Sequence, residues 1–336
     1  MVGSVNCALT DHNRTAHLGC DAAGRVIIVK VWYPVDASKP PATAREKLWQ
    51  DMRDDPATPV MMKLLLRRTA RIETNSHIQP DISTQAGKAP ILLYNHGMIS
   101  FTAENTFLME DLASHGFIVI ALQHAAQMME LRALQGRQPK PERQRQAQIQ
   151  KQILGAAGRE RADLSRQYYH SASNTNQIVA ARSLDTRYVL DQITEILLAV
   201  PGIQATGPGT DSIGMVGYSV GGSVATEFAK ADRRAACVVN MDGGIYGTRP
   251  DQAVSVPYCM LYSQANDGCN ATSLILEDTS LLVCKTFDDT THMNFHEISM
   301  VFPALRWLGV IGKVNPVELL IARNQYIINF VKTRLM

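Results

Sequence analysis

The sequence predicts an α/β fold in which a mostly parallel central sheet carries helices on both faces. Apolar runs of strand length alternate with longer segments of helical periodicity, and this alternation is typical of doubly wound folds. Most of the runs are apolar at every position, which indicates strands that are covered on both faces. The predicted strands are Arg25–Tyr33, Pro90–Asn95, Phe117–Leu122, Ser212–Val216, Ala236–Met241, Pro257–Ser263 and Leu281–Phe287, and the predicted helices are Thr102–Ser114, Asn176–Leu198, Gly222–Ala231 and Pro316–Lys332.

Length and composition favour one large domain, residues 1–336, without a nucleic-acid partner. Hydrophobic residues make up 46% of the chain and charged residues 19%, which is enough to bury a large core. The formal net charge of +2 is too close to neutral to predict a polyanionic partner. No apolar run of about 18 residues is present to cross a membrane. The first ten residues lack the pattern of a secretion signal, so we expect a cytoplasmic protein, or an exported one if the chain has been trimmed.

Two stretches interrupt the alternation and are expected to be helical, lid-like insertions, at about residues 49–80 and 132–173. The first contains the apolar and basic segment Met61–Arg68. A packed helix and a helix that covers the site or touches a lipid surface are both compatible with this segment. The second is rich in Gln and Arg and is broken by Gly136, Pro139 and Pro141. Long insertions above an α/β sheet often act as lids.

The run Gly217–Gly222, with the sequence Gly-Tyr-Ser-Val-Gly-Gly, is the strongest functional signal in the chain. It joins a predicted strand to a predicted helix, and a serine on such a sharp turn is lifted out of the sheet, where its hydroxyl can attack a substrate. Small neighbours are needed there, and Gly217 and Gly221 supply them. The pattern favours Ser219 as a nucleophile of the α/β-hydrolase type. A capping serine in a glycine-rich turn would begin the helix equally well.

A serine nucleophile needs a histidine base, and α/β-hydrolases follow the chain order Ser, acid, His. His292 follows the last predicted strand and is the favoured base, with His296 as the alternative. The two histidines would share one face of a helix. A zinc site of that spacing needs Glu directly after the first His, however, and Met293 stands there. We therefore expect neither a metal nor another cofactor.

Two aspartates are candidates for the acid that orients the histidine. Asp242 follows the strand Ala236–Met241, and Asp267 follows the strand Pro257–Ser263. Both would lie at the carboxyl edge of the sheet, where such sites assemble. Both also stand in turn-forming sequences. The spacing alone leaves the two candidates open.

The oxyanion formed on attack needs two preorganised backbone N–H donors. One belongs to the residue after the nucleophile, which is Val220, and the other to the loop after an earlier strand. In that loop Gly97 lets the chain turn, so that the N–H of Met98 can face the same point. His96 is expected to shape the loop.

A series of short motifs, spread from about Arg25 to Leu335, carries a family resemblance. The motifs are Trp32–Pro34, Tyr94–Met98, Leu112–Val119, Asp185–Asp191, Gly217–Gly222, Met241–Asp242, His292–Phe295 and the helix start Asn315-Pro316. Together they resemble the signature of the platelet-activating-factor acetylhydrolase-like esterases. The chain departs from that signature at Tyr218, where the family usually has His, and at His124-Ala125-Ala126, where the family has His-Arg-Asp.

The resemblance implies an α/β-hydrolase that cleaves esters of short or oxidised acyl chains without a metal. It also implies that the acid is Asp242 and that the oxyanion donors are Met98 and Val220. We therefore expect a serine carboxylesterase that acts on a small-molecule ester through an acyl-enzyme. The alternatives are an acyltransferase or cyclase with the same acyl-enzyme, and a non-catalytic ligand-binding protein. Transient contact with a membrane or lipid surface is compatible with the basic apolar segment.

Overall fold

A ten-stranded mixed sheet organises the chain in the computed structural model, which describes residues 1–14, 24–36, 43–56, 58–82, 89–124, 140–203, 212–250, 252–267 and 275–336. The strands are β1 (Val2–Asp11), β2 (Arg25–Pro34), β3 (Arg45–Lys47), β4 (Glu73–Ile78), β5 (Ile91–Asn95), β6 (Ile118–Gln123), β7 (Ile213–Tyr218), β8 (Ala235–Met241), β9 (Tyr258–Ser263) and β10 (Leu282–Phe287). Their order across the sheet is β10-β9-β8-β7-β5-β6-β2-β1-β4-β3.

Most strand pairs are parallel. All neighbours from β10 to β6 run parallel, as do β1 and β4, whereas β2 is antiparallel to both β6 and β1, and β3 is antiparallel to β4. The central strands β5, β7 and β9 are buried at every residue. In β5, Ile91 and Leu93 pack into one apolar cluster and Leu92 and Tyr94 into another. The apolar character of the strands thus follows from burial on both faces.

Helices cover both faces of the sheet. The α-helices of the described part are α1 (Gln50–Asp54), α2 (Val60–Leu65), α3 (Thr106–Ser114), α4 (Lys140–Gly155), α5 (Gly158–Ser171), α6 (Ser173–Asp191), α7 (Ile193–Leu198), α8 (Val220–Ala231), α9 (Ile298–Val301) and α10 (Pro316–Leu335). Helices α3 and α10 contribute to one apolar cluster, and α6, α7 and α8 contribute to the other. The predicted layered α/β fold is confirmed. In the described part of the chain, no helix combines the length and the apolar character needed to span a membrane.

The seven predicted strands are all present, with ends within two residues of the predicted ones. The helix predicted over Asn176–Leu198 begins earlier and is divided at Gln192 into α6 and α7, and the helix after the glycine-rich turn begins at Val220 rather than Gly222. Strands β1, β3 and β4 are not predicted. Strands β1 and β4 mix polar and apolar residues, and β3 has the charged sequence Arg-Glu-Lys, so none of the three has the continuous apolar run of a central strand.

The insertion predicted at 49–80 is helical only in its first part. Helices α1 and α2 and a 3₁₀ helix over Leu66–Arg71 are followed by β4, which pairs with β1 and extends the sheet. The helix-like part of this insertion, residues 49–72, is helical as predicted, and β4 at its end carries the polar sequence of an edge region. Of the second insertion, residues 132–139 lie outside the described residues. From Lys140 onward it consists of α4, α5 and the start of α6.

A buried ionic cluster ties α6 to strand β2. The carboxylate of Asp185 accepts two hydrogen bonds from Arg25, at 2.5 and 2.7 Å, and one from Arg14 at 2.7 Å. Nδ1 of His124 lies 2.9 Å from the same carboxylate. Burial alone would raise the pKa of Asp185, but the hydrogen bonds of His124 and Arg25 hold it below its usual value. The cluster holds helix α6 in place, and the same helix places Arg182 beside the site described next.

The carboxyl ends of the parallel strands meet at one edge of the sheet. Strands β5, β7, β8 and β9 end at Asn95, Tyr218, Met241 and Ser263. The loops that follow them contain the residues predicted to form a site. This edge is where open α/β sheets bind their ligands.

Candidate active site

The turn after β7 holds Ser219 in an unusual backbone conformation. Its φ of +56° and ψ of −125° lie outside the regions that non-glycine residues normally occupy. Hydrogen bonds fix the turn, since the Ser219 N–H donates to the Met241 carbonyl at 2.9 Å and the Gly222 N–H donates to the Ser219 carbonyl at 3.0 Å. A Cβ at Gly217 would collide with the carbonyl of Gly221. The close approach of the two backbone segments therefore requires glycine in the predicted motif.

His292 links Ser219 to Asp242. Its Nε2 lies 2.9 Å from Ser219 Oγ, and its Nδ1 lies 2.7 Å from Asp242 Oδ2. Because a carboxylate only accepts hydrogen bonds, Nδ1 carries the proton, and Nε2 accepts from the serine hydroxyl. The side chain of His292 is 37% exposed and that of Asp242 is fully buried. The hydroxyl is thus bonded to the one ring nitrogen that can take its proton.

Asp242 is held by donors from the end of β9 and the turn after it. Its carboxylate accepts from the backbone N–H of Ser263 at 2.7 Å, from the Ser263 hydroxyl at 2.9 Å, and from the side-chain amide of Asn266 at 2.7 Å. Asp267 is exposed, and its hydrogen bond comes from a threonine of β10. Of the two predicted candidates for the acid, the structure brings Asp242 to His292 and leaves Asp267 on the surface.

The segment that carries the histidine is fixed on two sides. A 3₁₀ helix begins at His292, and the side chain of Asn294 accepts hydrogen bonds from the backbone N–H groups of Thr291 and Gly312 at 2.8 and 2.7 Å. On the other side, the Tyr218 hydroxyl donates to the carbonyl of His292 at 3.0 Å, and the two rings stack with centroids 5.0 Å apart. Burial raises the pKa of Tyr218 well above its usual value, so its hydroxyl stays a donor.

His296, the alternative base, is occupied elsewhere. Its Nδ1 accepts the Ile298 N–H at 2.8 Å, and its Nε2 lies 3.9 Å from a carboxylate oxygen of Glu104. Burial lowers the pKa of His296 to about 3, which keeps the ring neutral. The structure therefore brings His292, and not His296, to the serine. Within the described residues, no group of three or more His, Cys, Asp or Glu side chains is arranged to hold a metal ion.

The two predicted oxyanion donors lie on backbone segments next to Ser219. A Cβ at Gly97 would lie 3.4 Å from Ser219 Cβ, so the loop after β5 runs against the nucleophile. Met98, the next residue, packs in one apolar cluster with Val220. Val220 is the first residue of α8, and the first N–H groups of a helix have no acceptor within the helix.

Arg182 and His96 fix the peptide group between Gly97 and Met98. The buried guanidinium of Arg182 donates to the carbonyl oxygens of His96 and Gly97 at 3.4 and 3.3 Å. The ring of His96 also lies against the Gly97 oxygen, with its Nδ1 2.7 Å away. Because the carbonyl and N–H of a trans peptide point in opposite directions, the Met98 N–H points away from Arg182. His96 shapes the loop in the way that the sequence predicts.

An apolar wall lies beside the nucleophile. Four buried residues from α6 and α8 form it, and two partly buried residues pack against it: Ile178, Val179, Val220 and Val224, with Met98 and Tyr246. The ring of Tyr246 meets that of Tyr169 edge-on, with centroids 4.7 Å apart. Tyr169 belongs to α5, so the second insertion contributes to this side of the site.

One protein family accounts for almost the whole chain. The model of the family "platelet-activating factor acetylhydrolase, isoform II" matches residues 16–336. The chain belongs to this family. As a member of the platelet-activating factor acetylhydrolase family it is a hydrolase of the carboxylesterase type, which confirms the resemblance found in the sequence. No curated protein matches the chain.

Two solved structures are similar to this acetylhydrolase family member to different degrees. A ferulic acid esterase from Streptomyces cinnamoneus is similar, with 19% sequence identity, a TM-score of 0.69, and coverage of 99% of this chain and 90% of that chain. A dienelactone hydrolase-like promiscuous phosphotriesterase from metagenomic libraries has 11% identity and a TM-score of 0.49, and the match covers 100% of this chain and 99% of that chain. The likeness to the ferulic acid esterase confirms the predicted α/β-hydrolase fold.

Three residues around the site of the acetylhydrolase family member are not found by sequence motifs. Arg182 lies within α6, Asn266 follows β9, and Glu104 lies between the loop after β5 and helix α3. The signal for Glu104 is weak but present. It is a lone acid in a stretch from residue 89 to 109 that has no other charged residue, and a buried acid requires hydrogen-bond partners.

Proposed function

We propose that the protein hydrolyses carboxylic esters through an acyl-enzyme on Ser219. His292 takes the serine proton and gives it to the leaving alcohol, Asp242 holds the imidazole in the required tautomer, and water then releases the acyl group. The backbone N–H groups of Met98 and Val220 stabilise the oxyanion. The observation that carries this proposal is the hydrogen-bonded chain from Ser219 Oγ through His292 to Asp242, at 2.9 and 2.7 Å.

A short acyl chain suits the apolar wall beside the serine. Met98 and Tyr246 are only partly buried and pack against this wall, which includes Val220, the residue after the nucleophile. An acyl group of a few carbons would cover these partly exposed surfaces, and such burial contributes about 25 cal/mol per Å² of apolar area. We therefore assign short-chain esters as the substrate class.

Covalent labelling tests the role of Ser219. A fluorophosphonate probe should modify Ser219 alone, and Ser219→Ala should lose labelling and reduce the hydrolysis of p-nitrophenyl acetate by roughly four to six orders of magnitude. Ser223→Ala is the matched control, because Ser223 directly follows the same glycine-rich run but donates its hydroxyl hydrogen bond to the Gly244 carbonyl at 2.8 Å. Equal loss of labelling in both variants, or turnover without labelling, would contradict the proposal.

Product analysis defines the substrate and the acceptor. We expect kcat/KM to be highest for p-nitrophenyl acetate to butyrate and to fall toward palmitate. Added ethanol should leave the free acid as the main product. A transesterified product that dominates at low ethanol concentration would instead support the alternative of an acyltransferase.

Contact with an anionic lipid surface is the second part of the proposal. Helix α2 exposes Val60 and Met61 by 75% and 72%, and the helix and its continuation carry cations at Lys63, Arg67 and Arg68. Trp307 and Leu308 are also exposed. The segment that carries them is joined to the histidine segment by a hydrogen bond from the Thr291 hydroxyl to the Val310 carbonyl. Exposed apolar residues next to cations are typical of surfaces that lie in a lipid interface.

Sedimentation with vesicles tests this contact. The wild-type protein should bind vesicles that contain phosphatidylglycerol more strongly than pure phosphatidylcholine vesicles, and Met61→Glu should weaken that binding. Leu198→Glu is the control, since Leu198 is 63% exposed on α7, which packs on the other face of the sheet. Equal binding by the two variants would contradict the proposed surface.

A further inference from the structure

Glu104 is a fully buried carboxylate beside the proposed oxyanion loop. Its Oε1 accepts the backbone N–H of Gly97 at 3.0 Å and the hydroxyl of Tyr94 at 2.5 Å. Gly97 directly precedes Met98, the proposed oxyanion donor. The carboxylate thus holds the loop by its main chain, one residue before the group that would contact the reacting oxygen.

The other oxygen of Glu104 faces the segment that carries His292. His296 Nε2 lies 3.9 Å from Glu104 Oε2, and His296 Nδ1 accepts the Ile298 N–H. A neutral imidazole that accepts at Nδ1 carries its proton at Nε2. The nitrogen that carries the proton is therefore the one nearer the carboxylate, although 3.9 Å is too long for a hydrogen bond. Glu104 thus bonds the oxyanion loop and lies beside the segment of the proposed base.

Two buried side chains from different elements hold the oxyanion loop. Glu104 accepts from the Gly97 N–H, and Arg182 donates to the carbonyls of His96 and Gly97. In the peptide between His96 and Gly97, the carbonyl oxygen therefore accepts from Arg182 and the N–H donates to Glu104. The carbonyl oxygen of the next peptide, that of Gly97, also accepts from Arg182. Because glycine has wide backbone freedom, the direction of the Met98 N–H depends on these bonds.

We propose that Glu104 is a positioning residue for the oxyanion hole, which holds the Gly97 amide so that the Met98 N–H faces the oxyanion. The role rests on the proposed function. A buried carboxyl group is unfavourable for folding unless its hydrogen bonds compensate, and methionine or leucine would fill the same space without that penalty. The acid is expected at this position because it can accept from an amide that an apolar side chain would leave unpaired.

Substitutions at Glu104 separate positioning from stability. Glu104→Met removes the acceptor, Glu104→Asp withdraws it by one methylene, and Glu104→Gln keeps an amide oxygen at the same reach. The matched control is Glu110, another buried acid, which accepts from the Ser76 hydroxyl at 2.5 Å and does not contact the loop. Glu110→Met and Glu110→Gln therefore report the stability effect of altering a buried acid.

The measurements are kcat and KM for p-nitrophenyl acetate, the Ki of trifluoroacetophenone, and the thermal midpoint. Trifluoroacetophenone forms a bond from its carbonyl carbon to Ser219 Oγ, so that the carbonyl oxygen becomes an oxyanion and the serine proton moves to His292. We expect Glu104→Met and Glu104→Asp to lower kcat about 10- to 100-fold and to raise Ki by a similar factor with KM little changed, since misplacement by about 1 Å can reduce rates by two orders of magnitude. Glu104→Gln should stay within about fivefold of wild type, because it retains an acceptor for the Gly97 N–H.

The outcomes distinguish this role from the proposed function. Wild-type kcat in Glu104→Asp, or equal effects on kcat of the Met variants at 104 and 110, would overturn the positioning role alone. If Glu104→Met does not fold, the Asp and Gln variants give the same comparison. A wild-type protein that neither hydrolyses the ester nor reacts with a fluorophosphonate would overturn the proposed function and this role with it.

Discussion

Two buried carboxylates at the same edge of the sheet differ in the way that their surroundings satisfy them. Asp242 accepts hydrogen bonds from four donors: the backbone and hydroxyl of Ser263, the amide of Asn266 and the imidazole of His292. Glu104 accepts at Oε1 from two neutral groups, and burial raises its pKa to about 7. The four donors around Asp242 can stabilise a negative charge, whereas the donors around Glu104 require only an oxygen acceptor in a fixed position.

The difference predicts opposite tolerance for a neutral amide. At position 242 the amide of Asn can present an N–H to His292, which removes the acceptor that fixes the tautomer. At position 104 the oxygen of Gln can still accept from Gly97 and Tyr94. Charge is therefore essential at the first carboxylate and dispensable at the second.

The largest expected effect is that of Asp242→Asn. It should lower kcat for p-nitrophenyl acetate about 10⁴-fold, since the imidazole loses the partner that keeps Nε2 free to accept the serine proton. Asp267→Asn is the control and should stay within about twofold, because this side chain is exposed and away from the histidine. Equal losses in the two variants, or no loss at 242, would remove the distinction between the two carboxylates.

A smaller effect is expected in the pH dependence of stability at Glu104. The carboxyl pKa is raised in the folded protein, so the folded state holds its proton to higher pH than the unfolded chain does. The free energy of unfolding should fall as pH rises from the unfolded pKa of about 4.3 toward 7, and Glu104→Gln should remove this fall and gain up to about 3 kcal/mol at pH 8 relative to pH 4. Urea unfolding of both proteins across this range measures the difference.

Glu73 provides a control of opposite sign for that experiment. Its carboxyl is exposed, and the hydrogen bond from Lys47 lowers its pKa. Stability from this group is present above the unfolded pKa and is lost as pH falls. Glu73→Gln should therefore make the protein slightly less stable than wild type at pH 8 and equal to it at low pH. A Glu104→Gln curve parallel to wild type would show that this carboxylate is not held in the neutral form.

The smallest expected effect is that of Tyr218→Phe, which alters a residue between the two carboxylates. The ring stacks on His292, and the hydroxyl donates to the His292 carbonyl. Phe keeps the stacking and removes one hydrogen bond, which should lower the free energy of unfolding by about 1–2 kcal/mol and kcat by less than about tenfold. Urea unfolding and steady-state kinetics measure both quantities. A loss of kcat as large as that of Asp242→Asn would mean that the hydroxyl has a part in the chemistry.

The sequence predicts those parts of the site that local geometry dictates. Gly217, Ser219 and Gly221 form a pattern because the strained turn admits few residue types, and the central strands are recognisable because burial on both faces requires continuous apolar runs. The choice between Asp242 and Asp267 is different. Both follow parallel strands, so their spacing leaves the choice open and only the family resemblance favours Asp242. In the structure, Asp242 bonds the histidine and accepts from Asn266 of the turn after β9.

Glu104 and β4 show why other features escape sequence reasoning. Glu104 bonds Gly97 and Tyr94, and it lies 3.9 Å from His296, which comes from the far end of the chain. No local pattern records such a contact. Strand β4 has the sequence Glu-Thr-Asn-Ser-His-Ile, whose polar residues reflect its place near the edge of the sheet. Its strand character comes from pairing with β1 and not from its own side chains.

The backbone conformation of Ser219 lowers the stability of the folded protein, and the serine needed for catalysis keeps that cost in place. A non-glycine residue held at a φ of +56° costs about 1–3 kcal/mol, which exceeds the roughly 0.5–1 kcal/mol that glycine loses in conformational entropy on folding. A copy of this chain released from selection for catalysis would therefore gain stability by drifting to glycine at position 219. In a related sequence, glycine at that position would therefore indicate a protein that is more stable and has lost catalytic activity, rather than one that is destabilised.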